Sequence, residues 1–169
     1  MEAIQAILTR RSIRKFKETE VSDEIIEKII DSALAAPSAR NKQPWHLIVV
    51  KNRETLKAIQ EVHPSAKMLD KAAFAIVVCG DSSIESEIGY IALNCAAMTQ
   101  NILVAANSLG LGSVWLGLYA RKDREDGVRN IFNLPSHIIP VSIAAIGLSD
   151  ETPEPANRER EGKLHYEKI

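Results

Sequence analysis

A run of cationic side chains near the amino terminus has the clearest chemical potential in this sequence. Residues 10–17 read Arg-Arg-Ser-Ile-Arg-Lys-Phe-Lys, which places five cations among eight residues. Guanidinium groups bind phosphate oxygens in bidentate geometry, and Ser12 adds a neutral donor, so the run is suited to clamping a phosphate group. On spacing alone, a solvated basic linker is the simpler interpretation. Nucleic acid ranks last as a ligand, because the chain has no surplus of cations and no interleaved aromatic residues.

Two further segments carry groups that suit a ligand. The first, residues 37–45, reads Pro-Ser-Ala-Arg-Asn-Lys-Gln-Pro-Trp. Its prolines, serine and asparagine make a turn, but the Asn41 and Gln43 amides each supply a donor and an acceptor, which suits a heterocycle with alternating carbonyl and ring N–H groups. The second, residues 109–118, is glycine-rich but follows a helix, the reverse of the strand-to-helix order of a dinucleotide fingerprint. It is either a helix stop or a stretch where Gly117 lets backbone N–H groups approach a ligand.

Protein nucleophiles and metal ligands are not evident in the sequence. The four histidines share no metal-ligand spacing and are interpreted as structural or surface residues. Asp150 and Glu151 are interpreted as surface charge. The two cysteines, Cys79 and Cys95, lie far apart and form no redox or zinc motif. Because the chain offers binding groups without a nucleophile, it points to a cofactor that brings its own reactivity.

Length and composition favour one soluble domain spanning residues 1–169. Hydrophobic residues make up 46% of the chain and charged residues 25%, which excludes disorder, collagen and coiled coil. The formal net charge of −1 gives no field that would draw the protein to nucleic acid or to an anionic membrane. The amino terminus lacks a basic segment followed by an apolar run, so no secretory signal is expected, and a reducing cytoplasm fits the cysteine usage best.

The segments described above must be positioned by helices and strands, and the sequence predicts that these alternate along the chain. Apolar spacing predicts helices over residues 4–8, 23–36, 53–62, 88–106 and 124–132, and apolar runs predict strands over 45–50, 74–79, 114–118 and 139–146. Ser22 is expected to cap the second helix. The apolar stretch 88–118 contains too many polar residues for a membrane span and predicts a buried helix followed by a strand. The interleaving favours an α/β or α+β fold, and the polar segment from Ser149, which ends in the strand-like 164–166, needs a surface to lie on.

The order and spacing of four segments resemble the FMN-dependent nitroreductase family. They are residues 10–16, 36–45 and 110–117, together with an arginine-bearing tail that ends in His165-Tyr166. The resemblance covers nearly the whole chain. It implies an α+β fold with a central mixed β-sheet flanked by helices, and a homodimer whose extended tails, residues 148–169, wrap the partner subunit. One FMN would lie in each of two clefts at the subunit interface.

The resemblance also assigns a set of cofactor contacts. The FMN phosphate and ribityl chain would be held by the amino-terminal run and the tail, namely Arg10, Arg11, Ser12, Arg158 and Arg160. The pyrimidine edge of the flavin would be approached by Arg14. From the other subunit, the same flavin would be reached by Pro37, Ser38 and Asn41. The strand beside the ring would contribute Trp115, Leu116, Gly117 and Leu118, with a backbone N–H of Gly117 or Leu118 near N5 and O4.

The implied activity is two-step hydride transfer in the cytoplasm. NAD(P)H would reduce FMN and leave before an acceptor such as a nitroaromatic or quinone enters the same face. Two alternatives stay open: a flavin-binding or sensing module with slow turnover, and specialised flavin chemistry such as flavin destruction or dehalogenation. Larger family members carry an Asn-x-x-Lys pair at the pyrimidine. Here Lys67 keeps the lysine but Pro64 replaces the asparagine, so an exposed lysine is the simpler interpretation of Lys67.

Overall fold

The computed structural model describes residues 1–169 and contains five α-helices and four β-strands. The helices are α1 (Ala3–Thr9), α2 (Asp23–Leu34), α3 (Arg53–Val62), α4 (Ile88–Ser108) and α5 (Lys122–Phe132). The strands are β1 (Trp45–Val50), β2 (Phe74–Asp81), β3 (Gly112–Gly117) and β4 (Ile138–Gly147), and short 3-10 turns occupy Ala39–Asn41 and Lys67–Asp70. Each predicted helix and strand is present, with small shifts at the ends. The exception is the strand-like segment 164–166, which is irregular.

The four strands form one sheet in the order β1-β2-β4-β3. Every pairing in it is antiparallel, which corrects the expectation of a mixed sheet. Val50, at the end of β1, pairs with Ala75, at the start of β2, so α3 and the turn after it return the chain to the end of the sheet that it left. A helical connection without a net crossing of the sheet reverses the strand direction. Parallel pairing is confined to an isolated bridge between Ser12 and Ser113.

A hydrophobic core lies on each face of the sheet. β2 is buried along its whole length, and its side chains alternate between the two faces. Phe74, Ile76 and Val78 join the core that contains α2 and α4, whereas Ala75 and Val77 join the core that contains α3 and α5. Full burial of one large apolar side chain contributes about 1.5–3 kcal/mol, so these two layers fix the sheet between its helices.

α4 is long and apolar enough, by length and composition alone, to span a membrane. In the fold it packs against the sheet, with Ile91, Met98 and Ile102 almost completely buried. Its polar Thr99 is buried too, and the Thr99 hydroxyl lies 2.7 Å from the Ser142 hydroxyl of β4. α4 is therefore a core helix, as its interrupted apolar pattern predicts.

α1 differs from the other helices because its apolar side chains point outward. Ile4, Ile7 and Leu8 are 66%, 53% and 66% exposed, and Ala6 alone is buried. The helical spacing of these residues predicts the helix correctly. Together they form an exposed apolar patch that no other part of the chain covers, and such patches are typical of interaction sites.

The cationic run is extended and binds two parts of the sheet. The Ile13 N–H donates to the Ser113 carbonyl at 2.9 Å, which fixes the run to β3. Further along, residues 15–17 exchange two backbone hydrogen bonds, each of 2.9 Å, with residues 148–150 just after β4. The run is thereby held between β3 and the start of the tail.

Candidate functional site

The cationic run and the tail meet around one cavity of about 380 Å³, called here the arginine cavity. Four arginines and three other residues line it, namely Arg10, Arg11, Arg14, Arg158, Ser12, Glu151 and Pro153. None of these arginines forms a salt bridge. With four guanidinium groups and one carboxylate, the cavity keeps a surplus of positive charge, which suits a multiply charged anion such as a phosphate.

The pKa of Arg10 reflects how close these cations lie to one another. Partial burial and the neighbouring charges of Arg158 and Arg11 lower the pKa of Arg10. In the same cluster, the Nη1 atom of Arg11 is buried and has no hydrogen-bond partner. A buried donor without an acceptor is destabilising, and an anion bound in the cavity would offset the repulsion between the cations.

Glu151 is the acid of the arginine cavity, and it binds backbone rather than guanidinium groups. Its Oε1 atom accepts hydrogen bonds from the N–H of Arg14 and, at 3.0 Å, from the N–H of Lys15. These bonds, that from Arg14 foremost, lower the pKa of the Glu151 carboxyl. The interpretation of Glu151 as surface charge is therefore wrong, because this side chain fixes the path of the cationic run.

The outer edge of β3 forms the second part of the site. Successive residues of a strand direct their backbone N–H and C=O groups to opposite edges. The Leu118 N–H donates to the Val141 carbonyl at 3.1 Å, whereas the Ser113 carbonyl faces outward and accepts from the cationic run. The alternation therefore turns the backbone groups of Ser113, Trp115 and Gly117 to the outer edge. Of the two N–H groups expected near the ring, that of Leu118 is engaged within the sheet and that of Gly117 faces outward.

Two side chains hold the carbonyl oxygen of Gly117. His63 Nε2 lies 3.1 Å from it, and Arg124 Nη1 lies 3.3 Å from it. His63 follows α3 directly and is only 1% exposed. Gly117 itself is exposed, and a Cβ added to it would meet no atom within 4 Å. The outer edge of β3 thus ends in a fixed carbonyl, and the strand is uncovered where a side chain of residue 117 would stand.

Lys67 and Arg14 line a second cavity, of about 290 Å³. Lys67 is exposed, as its sequence context predicts, yet it borders the same space as Arg14. The stretch of chain that carries Lys67 also carries His63, which binds Gly117. This stretch therefore connects the cationic run with the end of β3.

Pro37, Ser38 and Asn41 belong to a different part of the surface and line neither of these cavities. The loop that carries them is strained. Arg40, Asn41 and Gln43 have φ angles of 56°, 54° and 49°, in the left-handed region that residues other than glycine adopt rarely. Backbone strain of this kind persists only where the surrounding structure enforces it, and it is concentrated at functional sites.

A buried carboxylate helps to hold this loop. The Glu85 side chain is 1% exposed and lies 3.0 Å from Lys42 Nζ and 3.5 Å from Arg40 Nη2. The backbone N–H of Glu87, followed by Lys42, lowers the pKa of Glu85. Asn94 of α4 accepts a further hydrogen bond from the loop backbone at 3.0 Å, and its own Nδ2 atom is buried without a partner.

The structure brings together most of the residues that the sequence suggests, but not all of them. The cationic run and Arg158 share the arginine cavity, and the run contacts β3, which carries Trp115, Leu116 and Gly117. Arg160 is exposed and lies outside that cavity. Within one chain the loop with Pro37, Ser38 and Asn41 stands apart.

Sequence reasoning missed three residues of this site, Glu151, His63 and Glu85. Their side chains bond to residues 137, 54 and 45 positions away, respectively. No local pattern can reveal such contacts. The sequence signal available for each was a single polar residue without a motif around it.

The chain is similar in sequence and in structure to known proteins. The sequence pattern of the Nitroreductase family matches residues 7–63 and 60–148. A protein of Methanothermobacter thermautotrophicus, provisionally named an NADH dehydrogenase/NAD(P)H nitroreductase, is 47% identical over 168 residues. The matched region covers 99% of this chain and 88% of that protein.

Solved structures show the same architecture. An FMN-dependent nitroreductase from Clostridium difficile R20291 is 30% identical, with a TM-score of 0.90, and the match covers 98% of this chain and 99% of that one. An NADPH:FMN oxidoreductase from Vibrio harveyi, solved with NAD+, is 27% identical, with a TM-score of 0.88. That match covers 99% of this chain and 77% of the Vibrio chain. The expected α+β fold is thereby confirmed.

Proposed function

This chain belongs to the nitroreductase family, and from that premise we propose that it transfers a hydride from NAD(P)H through FMN to a nitroaromatic, quinone or similar acceptor in two half-reactions. It is an oxidoreductase and FMN is its cofactor, as the relatives that are FMN reductases and FMN-dependent nitroreductases support. The observation that carries the proposal is the arginine cavity, where Arg10, Arg11 and Arg158 converge without a salt bridge.

The phosphate of FMN fits the arginine cavity. Phosphate oxygens would accept from the guanidinium groups and from the Ser12 hydroxyl. Their charge would also offset the burial and the repulsion by Arg158 and Arg11 that lower the pKa of Arg10. Hydrogen bonds to charged groups contribute about 1.5–3 kcal/mol each, so several of them on one phosphate would retain the cofactor firmly.

The outer edge of β3 fits the ring of FMN. Ser113, beside the cationic run, and Gly117 are four residues apart in β3, which corresponds to about 13 Å in an extended strand. This span is comparable with the separation of the phosphate and ring ends of an extended FMN. The absence of a side chain at Gly117 leaves the strand open to close approach by a ring, and the outward N–H of Gly117 offers that ring a donor.

FMN held at this edge would supply hydride chemistry, with two electrons and a proton arriving from the nicotinamide as a hydride and two electrons with protons leaving to the acceptor. The protein would contribute positive charge near the flavin and open access for the acceptor. Arg14 and Lys67 line one cavity, so we place both at the pyrimidine end, where positive charge favours the reduced, anionic cofactor. The connection between β3 and β4 contains α5 alone, which leaves little chain to cover the acceptor. A shallow, permissive acceptor site follows.

We also propose that the active unit is a homodimer. α1 exposes Ile4 and Ile7, and α4 exposes Leu93 at 66%, so both helices offer apolar surface to a second copy. The loop with residues 37–41 lies outside the arginine cavity, so its contribution to a flavin site would come from the partner subunit. Residues 154–169 are exposed throughout, and Arg158 alone among them lines the arginine cavity, so the rest of the tail offers its surface to that partner.

We propose that residues 1–169 act as one FMN-binding domain and that the enzyme is cytoplasmic. The cysteines support the cytoplasmic location. Cys79 and Cys95 are buried and unpaired. Burial raises the pKa of each thiol to about 12, so both remain protonated and inert. Buried free thiols without disulfides are typical of proteins from reducing compartments.

The visible spectrum of the purified protein tests the proposed function. We expect a yellow protein whose flavin band bleaches on anaerobic stopped-flow mixing with NADH or NADPH and returns when a nitroaromatic or quinone is added. A colourless protein that takes up no FMN at saturating concentration would contradict the proposal. A bound flavin that neither nicotinamide bleaches would favour the binding module, and destruction of the flavin during turnover would favour the specialised chemistry.

A further inference from the structure

The hydrogen bonds around His63 determine its protonation. The Gly117 carbonyl oxygen only accepts, so the Nε2 atom of His63, 3.1 Å away, carries a proton. Nδ1 lies 3.3 Å from the backbone nitrogen of Ser65, which only donates, so Nδ1 carries none. Burial, chiefly, lowers the pKa of His63, in agreement with a neutral ring. Arg124 Nη1 therefore donates to the Gly117 oxygen at 3.3 Å rather than to the proton-bearing Nε2.

The peptide unit between Gly117 and Leu118 is consequently fixed on both sides. Its oxygen accepts from His63 and Arg124, and its N–H donates to the Val141 carbonyl at 3.1 Å. A peptide next to glycine rotates readily, because no Cβ restricts it. Without the two side chains, the bond to Val141 alone would restrain this unit at the exposed end of β3.

We propose that His63, assisted by Arg124, is a positioning residue for FMN. It binds the carbonyl oxygen of Gly117 and so keeps that oxygen from N5 of the flavin, which leaves the Gly117 N–H, a group of the preceding peptide, as the one that N5 meets. This inference rests on the proposed function, because it needs the ring at the outer edge of β3. Neither His63 nor Arg124 is among the cofactor contacts that the family resemblance assigns.

The group presented to N5 affects the ease of electron uptake. N5 of oxidised FMN accepts a hydrogen bond, whereas N5 of reduced FMN bears a proton and donates one. A backbone N–H at N5 therefore favours the oxidised cofactor, and a carbonyl oxygen there favours the reduced one. While His63 and Arg124 occupy the lone pairs of the Gly117 oxygen, that oxygen is not available to N5. Loss of these donors is expected to raise the midpoint potential of bound FMN.

The test compares two substitutions of His63. His63→Phe keeps a ring and removes the donor, whereas His63→Gln places an amide nitrogen close to the position of Nε2. Spectroelectrochemistry of the FMN-loaded protein gives the midpoint potential, and fluorescence titration of the apoprotein gives the Kd of oxidised FMN. In His63→Phe we expect the Kd of oxidised FMN to increase about tenfold relative to the Kd of reduced FMN. This change corresponds to a rise of about 30 mV in the midpoint potential of a two-electron couple. His63→Gln is expected to retain the wild-type potential.

Two further variants complete the experiment. Arg124→Met removes the second donor from α5 at a partly exposed position, so it remains informative if His63→Phe does not fold. It is expected to shift the potential in the same direction by a smaller amount. His46→Phe is the matched control, because it removes a ring that bonds to Asp81 at 3.3 Å on the opposite edge strand, β1. Its potential is expected to match the wild type.

The outcomes separate this inference from the proposed function. Wild-type potentials in both His63→Phe and Arg124→Met, with FMN still bound, would overturn the positioning role and leave the proposed function intact. A lower melting temperature without a change in potential would also overturn it, because it would make His63 a structural residue only. Failure of the wild-type protein to bind FMN would overturn the proposed function itself.

Discussion

Two arginines of the tail, Arg158 and Arg160, stand two positions apart but differ in their surroundings. Arg158 lines the arginine cavity, and Arg160 does not. We expect Arg158→Ala to weaken FMN binding about tenfold to a hundredfold, because one charge-assisted hydrogen bond contributes about 1.5–3 kcal/mol. Arg160→Ala is the control and should leave the Kd close to that of the wild type. Fluorescence titration of the two apoproteins measures both, and equal losses would contradict the phosphate assignment.

Asp81 makes the stability of the fold depend on pH. Hydrogen bonds from Ser83, with a contribution from His46, lower the pKa of the Asp81 carboxyl from 3.8 to about 2, although burial opposes them. Because the folded-state pKa lies below the ordinary value, the stabilisation is complete above about pH 4 and is lost as the pH falls through about 2.

Urea denaturation of the wild type and of Asp81→Asn checks this dependence. The difference between their free energies of unfolding is expected to stay constant from neutral pH to about pH 4 and to close between about pH 4 and pH 2. Asp126→Asn, which removes an exposed ion pair with Lys122, is the control with a small effect. A difference for Asp81→Asn that persists below pH 2 would show that the carboxylate charge is not its source.

At the residue scale, the sequence predicts chemistry only where the cooperating groups are neighbours in the chain. The cationic run is recognisable because its members are adjacent, and Arg158 could be added through the family resemblance. His63 and Glu151 could not be identified, because each gains its role from a partner 54 or 137 positions away. A lone histidine looks the same in the sequence whether it is solvated or buried against a carbonyl.

At the scale of elements, the loop of residues 38–43 owes its shape to a side chain outside it. Glu85→Gln preserves the side-chain shape and removes the charge that Lys42 and Arg40 face. We expect the strained backbone to relax, with faster amide hydrogen exchange over the loop and a lower melting temperature. Glu87→Gln, an exposed neighbour, is the matched control. Unchanged exchange in Glu85→Gln would show that the ion pairs do not hold the loop.

The predicted elements differ in how much of their structure the sequence determines. α3 has its predicted bounds, because its apolar stripe is regular and Asn52 caps it, accepting from the Thr55 N–H at 2.9 Å. Ser22 stands at the N-cap of α2 but forms no side-chain capping bond, so the residue type predicts the helix start and not the contact. The strand directions were not predictable, because alternating helices and strands fit parallel and antiparallel sheets equally well.

At the scale of the whole molecule, the proposed dimer can be tested with two complementary defects. Arg10→Ala damages the arginine cavity, and Asn41→Ala damages the loop that is proposed to reach the partner's flavin. Each variant alone should bind FMN weakly. In a hybrid dimer, one site combines an intact Arg10 with the intact Asn41 of the other subunit, so it should bind a single FMN with wild-type affinity.

Co-expression with two different affinity tags yields the hybrid, and fluorescence titration measures its binding. Weak binding by the hybrid would show that Arg10 and Asn41 act within the same chain. Failure of the differently tagged subunits to co-purify, with a monomeric elution volume, would contradict the dimer. The wild-type protein carrying both tags is the control for mixing.

The arginine cavity joins parts of the chain that are made at very different times. Arg10 leaves the ribosome early, and Arg158 follows 148 positions later. A nascent polypeptide therefore cannot complete the cavity until the entire sheet has been translated. The cofactor must then be captured by finished chains, so full-length apoprotein is expected to take up added FMN.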